Sequence, residues 1–125
     1  VADFKINKKF TNKIKKQDKL ILNLEKNIDI LNYVSNHNSL RPKLVIGFAA
    51  ETNDIEKNAI SKLEIKNCDW IISNDVSKKD SGLETDYNEV VIYYKDIKNK
   101  KEKLSFKKKS EISEEIVDRI INQIN

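Results

Sequence analysis

One cysteine, one proline, two glycines, one histidine, one tryptophan and no methionine are found among the 125 residues. Each scarcity closes off a class of chemistry. A lone thiol, Cys68, forms no internal disulfide, so a reducing compartment, the cytoplasm, is the expected location. His37 and Cys68 cannot by themselves complete a common zinc ligand set. Because Cys68 precedes an apolar stretch, inert packing is expected of it rather than reactivity. With Gly47 and Gly82 as the only glycines, neither a Gly-x-Gly-x-x-Gly turn nor a Walker-type loop is present. No run of eighteen apolar residues exists, so no membrane span is expected. No signal-peptide pattern follows Val1-Ala2-Asp3. Arginine is confined to Arg41 and Arg119, and aromatics are sparse beside the lysine runs. Nucleic-acid readers rely on both, so no nucleic-acid partner is expected despite a formal charge of +4.

What remains suffices for one domain, or part of one, with a modest core. Apolar residues make up 38% and charged residues 35%, a balance that suggests a surface completed by a partner. The organising stretch is Lys43 to Thr52. Leu44, Val45, Ile46 and Phe48 lack helical spacing and read as a buried strand. Small residues follow, and then Thr52-Asn53 with Glu56, which reads as an N-cap and capping box. A strand feeding a helix through a short loop is the unit of α/β folds, whose ligands sit at the strands' carboxyl ends. A site is therefore expected near Phe48 to Glu51.

The flanking segments extend this pattern. Lys5 to Lys16 is lysine-rich without period and reads as a solvated loop. Asp18 to Lys26 alternates, with Leu20, Leu22 and Leu24 on one face and Ile21 on the other, which predicts a strand whose outer face is partly apolar. Asn27 is the expected cap of a helix from Ile28 to about Asn36. Asn53 to about Lys66 is expected to be helical, with Lys62 and Lys66 one turn apart. Trp70-Ile71-Ile72 is a second buried strand, giving a β-α-β unit with parallel strands and a right-handed crossover. Ser77 to Asn88 reads as a loop. Glu89–Lys95 and Lys103–Phe106 form a hairpin. Beginning near Ser110 or Ser113, Ile112, Ile116, Val117, Ile120, Ile121 and Ile124 repeat at helical spacing and define a C-terminal helix. Lysines and the helix starts at Asn27–Leu31 and Asn53–Glu56 together make an anion site suited to phosphate. A carboxylate such as Asp3 would add Mg2+ to it.

Six stretches stand in order: Val1-Ala2-Asp3-Phe4, Lys13-Ile14-Lys15-Lys16, Gly47-Phe48-Ala49-Ala50-Glu51-Thr52, Glu56-x-x-Ala59-x-x-Lys62-Leu63-x-x-Lys66, Ser73-Asn74-Asp75-Val76-Ser77 and Gly82-x-x-x-Asp86-x-Asn88-Glu89-Val90. They resemble successive motifs of phosphopantothenoylcysteine synthetase, which in many bacteria is the C-terminal half of a bifunctional coenzyme A biosynthesis flavoprotein. The resemblance spans residues 1–125. It implies an α/β fold: a Rossmann-like, three-layer mixed sheet, mainly parallel, with a C-terminal hairpin and a C-terminal helix.

The implied activity joins 4′-phosphopantothenate to cysteine with CTP, through an acyl-cytidylate. The resemblance makes Lys13 the catalytic lysine on a flap, which revises the solvated-loop reading. It makes Asp3 a nucleotide and metal contact through Mg2+. Ile28, Asp29, Ile30 and Leu31 match the nucleotide-contacting helix start, where proline is usual at the place of Ile28. Phe48 would line the nucleotide pocket, and Lys62 and Lys66 would point at the nucleotide. The strand around Ile21 falls in the region through which the family dimerises, so a homodimer is implied. The family's Gly-rich phosphate loop and its acyl-cytidylate asparagine lie upstream of the position of Val1. The chain is thus expected to be the C-terminal portion, unable to complete the reaction alone. FMN is implied only where a decarboxylase domain lies upstream. The alternative is a non-catalytic dimerisation or assembly module of the same fold.

Overall fold

A computed structural model describes residues 2–7, 12–15, 19–78, 84–96 and 100–125. The lysines at positions 8, 9 and 16 of the expected flap, and Gly82, lie outside them. The chain divides into two units, Val1–Ile30 and Leu31–Asn125.

In the first unit, strand β1 (Phe4–Ile6) pairs antiparallel with β2 (Leu24–Lys26). Lys5 and Glu25 face each other across the ladder, 3.3 Å apart. Both are well exposed, so the pair contributes little. Of the alternating stretch expected to form one strand from Asp18, which lies outside the described residues, Leu24–Lys26 is strand. Residues 19–23 are irregular, because β1 offers only three partners and a strand without a partner leaves its amides unsatisfied.

The second unit begins with most of helix α1 (Ile30–Ser35) and contains β3 (Ile46–Glu51), α2 (Ile55–Ile65), β4 (Trp70–Asp75), β5 (Tyr87–Tyr94), β6 (Lys101–Lys108) and α3 (Lys109–Ile124). The sheet order is β3-β4-β5-β6. β3 and β4 run parallel on either side of α2, the expected β-α-β unit. The other two pairings, β4 with β5 and β5 with β6, are antiparallel. The expectation of a mainly parallel sheet is thereby corrected. Parallel pairing needs a crossover connection, and only the β3–β4 link contains a helix.

Strand alternation sorts the side chains into two cores. Val45, Ala49, Ile71 and Tyr93 meet Ala59 and Leu63 of α2, with Leu31 of α1 packed alongside. Trp70, Ile72, Val90, Ile92 and Leu104 meet Ile112, Ile116 and Ile120 of α3. One helix thus covers each face, giving the expected three layers. Gly47 is required where α1 comes closest. A Cβ there would lie 2.7 Å from both Leu31 Cδ2 and Ile71 Cδ1, well inside contact distance.

The expected loop of small residues is instead strand. Ala49, Ala50 and Glu51 pair with Ser73, Asn74 and Asp75, and Ala49 is small because α2 packs directly on it. The expected Thr52–Asn53 cap with Glu56 does not form. α2 is entered through Asp54 in a left-handed conformation (φ 45°) without a side-chain capping bond. Glu56 is drawn away to Lys101 of β6, at 2.8 and 2.9 Å.

Two polar clusters fasten the layers. Arg41 Nη2 donates to both carboxylate oxygens of Asp69, each at 3.0 Å, and to the carbonyl of Asn67. Arg41 Nε donates to the Ser35 carbonyl at 2.8 Å. Asp69 Oδ2 also accepts the Val45 amide at 2.6 Å. In the second cluster Arg119 of α3 reaches Glu102 of β6 through Nε, at 3.0 Å, and Nη2, and the Tyr94 hydroxyl donates to the same carboxylate at 3.0 Å. Arg119 holds the Glu102 carboxyl below its ordinary 4.5, while burial pushes the Tyr94 phenol up to about 12.

Asp69→Asn replaces one accepting oxygen with a donor that faces either the Arg41 guanidinium or the Val45 amide. A loss of about 2 kcal/mol in unfolding free energy is expected by urea titration. Because the Glu102 pKa is depressed in the folded state, its contribution is present above about 4.5 and disappears as pH falls through the lower folded value. The stability gap between the wild type and Glu102→Gln should accordingly be widest near neutrality and should narrow toward pH 3.

Candidate functional site

The residues singled out from sequence fall in both units. In the first, the Asn27 amide donates to the Asp3 carbonyl and Asn27 Nδ2 donates to the Ala2 carbonyl, each at 2.8 Å. The ladder therefore ties Asp3 directly to the stretch that continues as Ile28-Asp29-Ile30. The Asn27 side chain, expected to cap α1, is engaged with Ala2 instead. α1 begins only at Ile30, so Ile28 and Asp29 precede it. Ile28 is 77% exposed. Asp3 and Lys13 present exposed side chains, Lys13 within the irregular residues 12–15.

In the second unit, Leu31 packs against the core beneath α2. Phe48 lies on the opposite face of the sheet, 73% exposed. It borders a half-open cavity of about 350 Å3 between the sheet and α3, together with Ile72, Asn74, Val90, Lys109 and Ile112. Lys62 belongs to α2, on the other side, and Lys66 is the C-cap of that helix. The structure thus brings Lys62 to the carboxyl end of β3 but sets Phe48 across the sheet from it. Lys66 sits at the C-terminal end of α2, where its carbonyl accepts from the Ser35 hydroxyl.

At the carboxyl ends of the parallel strands two carboxylates stand in register, Glu51 and Asp75. Asp75 accepts from the Ser77 amide at 3.0 Å and the Ser77 hydroxyl at 2.6 Å. These bonds hold its carboxyl below the ordinary 3.8. Glu51 Oε1 lies 2.6 Å from Lys62 Nζ, and Glu51 Oε2 accepts from Asn58 Nδ2 at 3.1 Å. Sequence reasoning placed Glu51 at the edge of the site without a partner. The available signal was the spacing of Asn58 and Lys62, four apart, which aims both side chains from one helix face at the strand end.

His37 Nδ1 accepts the amides of Ser39 and Leu40 within a turn, and Cys68 is buried, in line with the packing expected of it. Among the described residues no cluster of three or more His, Cys, Asp or Glu side chains is arranged to hold a metal ion. No described helix is long and apolar enough to cross a membrane. Of the lysines expected at the site, Lys62 stands at the carboxyl end of β3, where it pairs with Glu51.

Known proteins resemble the chain over nearly its whole length. The coenzyme A biosynthesis bifunctional protein CoaBC of Bacillus subtilis is 40% identical over 121 residues, 96% of this chain and 29% of that protein. Its counterpart in Haemophilus influenzae is 38% identical over 124 residues, 98% of this chain and 30% of that protein. The chain therefore spans under a third of these relatives. The crystal structure of the C-terminal domain of a CoaBC protein superposes with a TM-score of 0.65 at 32% identity, over 82% of this chain and 45% of that one. A DNA/pantothenate metabolism flavoprotein from Streptococcus pneumoniae, at 23% identity, shares the fold with a TM-score of 0.61, over 86% of this chain and 46% of that one. Residues 1–124 match the family described as the DNA/pantothenate metabolism flavoprotein C-terminal domain, and the chain belongs to that family, as its resemblance to phosphopantothenoylcysteine synthetase implied.

Proposed function

We propose that this chain is the nucleotide-binding and dimerising part of a CTP-dependent ligase that joins 4′-phosphopantothenate to cysteine in coenzyme A biosynthesis. The observation that carries the reading is the family match over residues 1–124; Asp3, Lys13, Phe48, Lys62 and Lys66 lie within the stretches that resemble the synthetase's motifs. In this reading the substrate carboxylate attacks the α-phosphorus of CTP and pyrophosphate leaves. The cysteine amine then attacks the acyl carbon of the cytidylate and CMP leaves.

Lys13 offsets negative charge on the phosphate as the intermediate forms and reacts. Its exposure among residues 12–15 leaves its ammonium available for that task. Lys62 and Lys66 bind the nucleotide electrostatically, and the backbone from Ile28 to Leu31 contributes amides. Asp3, with an exposed carboxylate and no metal cage among the described residues, fits an ion carried in by the triphosphate rather than one held by the protein. Mg2+ would there supply charge neutralisation. FMN belongs to this proposal only through a decarboxylase domain of the parent protein, and a cytoplasmic location accompanies it.

Apolar exposure supports the homodimer. Leu20, Ile21 and Leu22 are 54%, 75% and 49% exposed in the first unit, a patch of the kind that marks an interaction surface. The same patch is what an assembly module without a nucleotide site would show, and it sustains that second reading.

CTP with Mg2+ at about a hundredfold excess over its dissociation constant would stabilise the chain by about 2.7 kcal/mol. A melting point raised by several degrees is expected. Asp3→Ala and Lys13→Ala should abolish the rise and leave the nucleotide-free melting point unchanged. Absence of any rise at millimolar CTP, with dimers in sedimentation, would replace the ligase reading by the assembly module.

A further inference from the structure

The carboxyl end of β3 holds an arrangement that the nucleotide reading does not use. Glu51 closes the strand, and its backbone is fixed from two sides. It pairs in register with Asp75 of β4, and its carbonyl accepts the Val76 amide at 2.9 Å. Its side chain is only 13% exposed, and its Oε1 meets Lys62 Nζ at 2.6 Å. The second oxygen accepts from Asn58 Nδ2, which also donates to the Asn53 carbonyl at 3.0 Å. Both oxygens are therefore committed, and the carboxylate has a fixed orientation. Lys62, by contrast, has a long flexible stem and 44% side-chain exposure. An unanchored lysine of that kind samples many rotamers, all of which must be restricted when it meets a ligand.

We infer that Glu51 is the positioning residue for Lys62, with Asn58 as its clamp, so that the ammonium stands preorganised at the strand end before a polyphosphate arrives. The inference rests on the nucleotide reading of Lys62 and deepens it by naming what aims that group. Glu51 acts through Lys62 and touches no ligand. The tetrahedral ammonium carries three N–H donors. One is held by the carboxylate and the others point away from it, toward solvent and an incoming phosphate. The cost of ordering the side chain is thus met in the folded chain rather than on binding.

A double-mutant cycle in CTP·Mg2+ affinity, read by calorimetry on Glu51→Gln, Lys62→Ala and the double variant, tests this. Each single change should weaken binding about tenfold, and the double variant should bind no more weakly than Lys62→Ala, within about twofold. Losses that multiply would overturn the positioning role. CTP binding that is unaffected by Lys62→Ala would overturn the role of Lys62 and this inference with it. Asn58→Ala, which keeps the ion pair and removes only its clamp, should cost about threefold and no more in the Lys62→Ala background. It carries the same decision should Glu51→Gln fail to fold. A second readout needs no nucleotide. The 15N-correlated ammonium signal of Lys62, slow-exchanging when held by a carboxylate, should be present in the wild type and absent in Glu51→Gln. An unchanged signal would overturn the proposal while leaving the nucleotide reading intact.

Discussion

The second unit depends on how Asp69 is held. It sits in the turn between α2 and β4, where three segments must meet: the end of α1, the entry to β3 and the start of β4. Its carboxylate takes the Val45 amide and the Arg41 guanidinium at once, and Arg41 extends the contact to the carbonyls of Ser35 and Asn67. The backbone repeats the connection, since the Asp69 amide donates to Val45 and its carbonyl accepts from Lys95. A planar fork with fixed donor directions suits this position as an ammonium would not. With β3 registered to β4 in this way, their carboxyl ends are registered too. The alignment of Glu51 with Asp75 follows from an interaction at the opposite end of the strands.

Much of this was legible in the chain. The β-α-β unit, the hairpin and the C-terminal helix show in hydrophobic period alone, because each buries a regular face. Boundaries set by tertiary partners were not legible. The expected capping box failed because Glu56 finds Lys101, distant in sequence and unmarked by any local pattern. Residues 19–23 stay outside β2 (Leu24–Lys26) because alternation fixes which face a residue occupies and not whether a neighbour exists to pair with. The expectation of a mainly parallel sheet failed for a reason that lies in the connections: a loop between strands leaves antiparallel pairing as the simpler outcome.

Candidate residues could be named from the sequence one by one, but not how the fold distributes them. Asp3, Lys13, Phe48 and Lys62 were named from motifs, yet period two in β3 puts Phe48 under α3 and Glu51 under α2. Neighbours in a strand's sequence work on opposite sides of its sheet. A strand end therefore serves two environments. In this chain one is an apolar cavity edged with asparagine and lysine, and the other is an ion pair. Glu51 is the residue that sequence named without a role, since an ion pair eleven positions apart leaves no mark until a helix folds back on its strand.

The left-handed Asp54 has a further meaning. A residue held at φ 45° with no side-chain capping bond to favour that state costs on the order of 1–2 kcal/mol. Local preference thus works against the corner that α2 leaves from. What keeps the corner closed is the set of bonds around Glu51, Asn53 and Asn58. Amides there should exchange with solvent together, in one cooperative opening set by that cluster rather than by the sheet beneath. The ammonium at the strand end and the backbone at the helix entrance would then share a single rate of exposure.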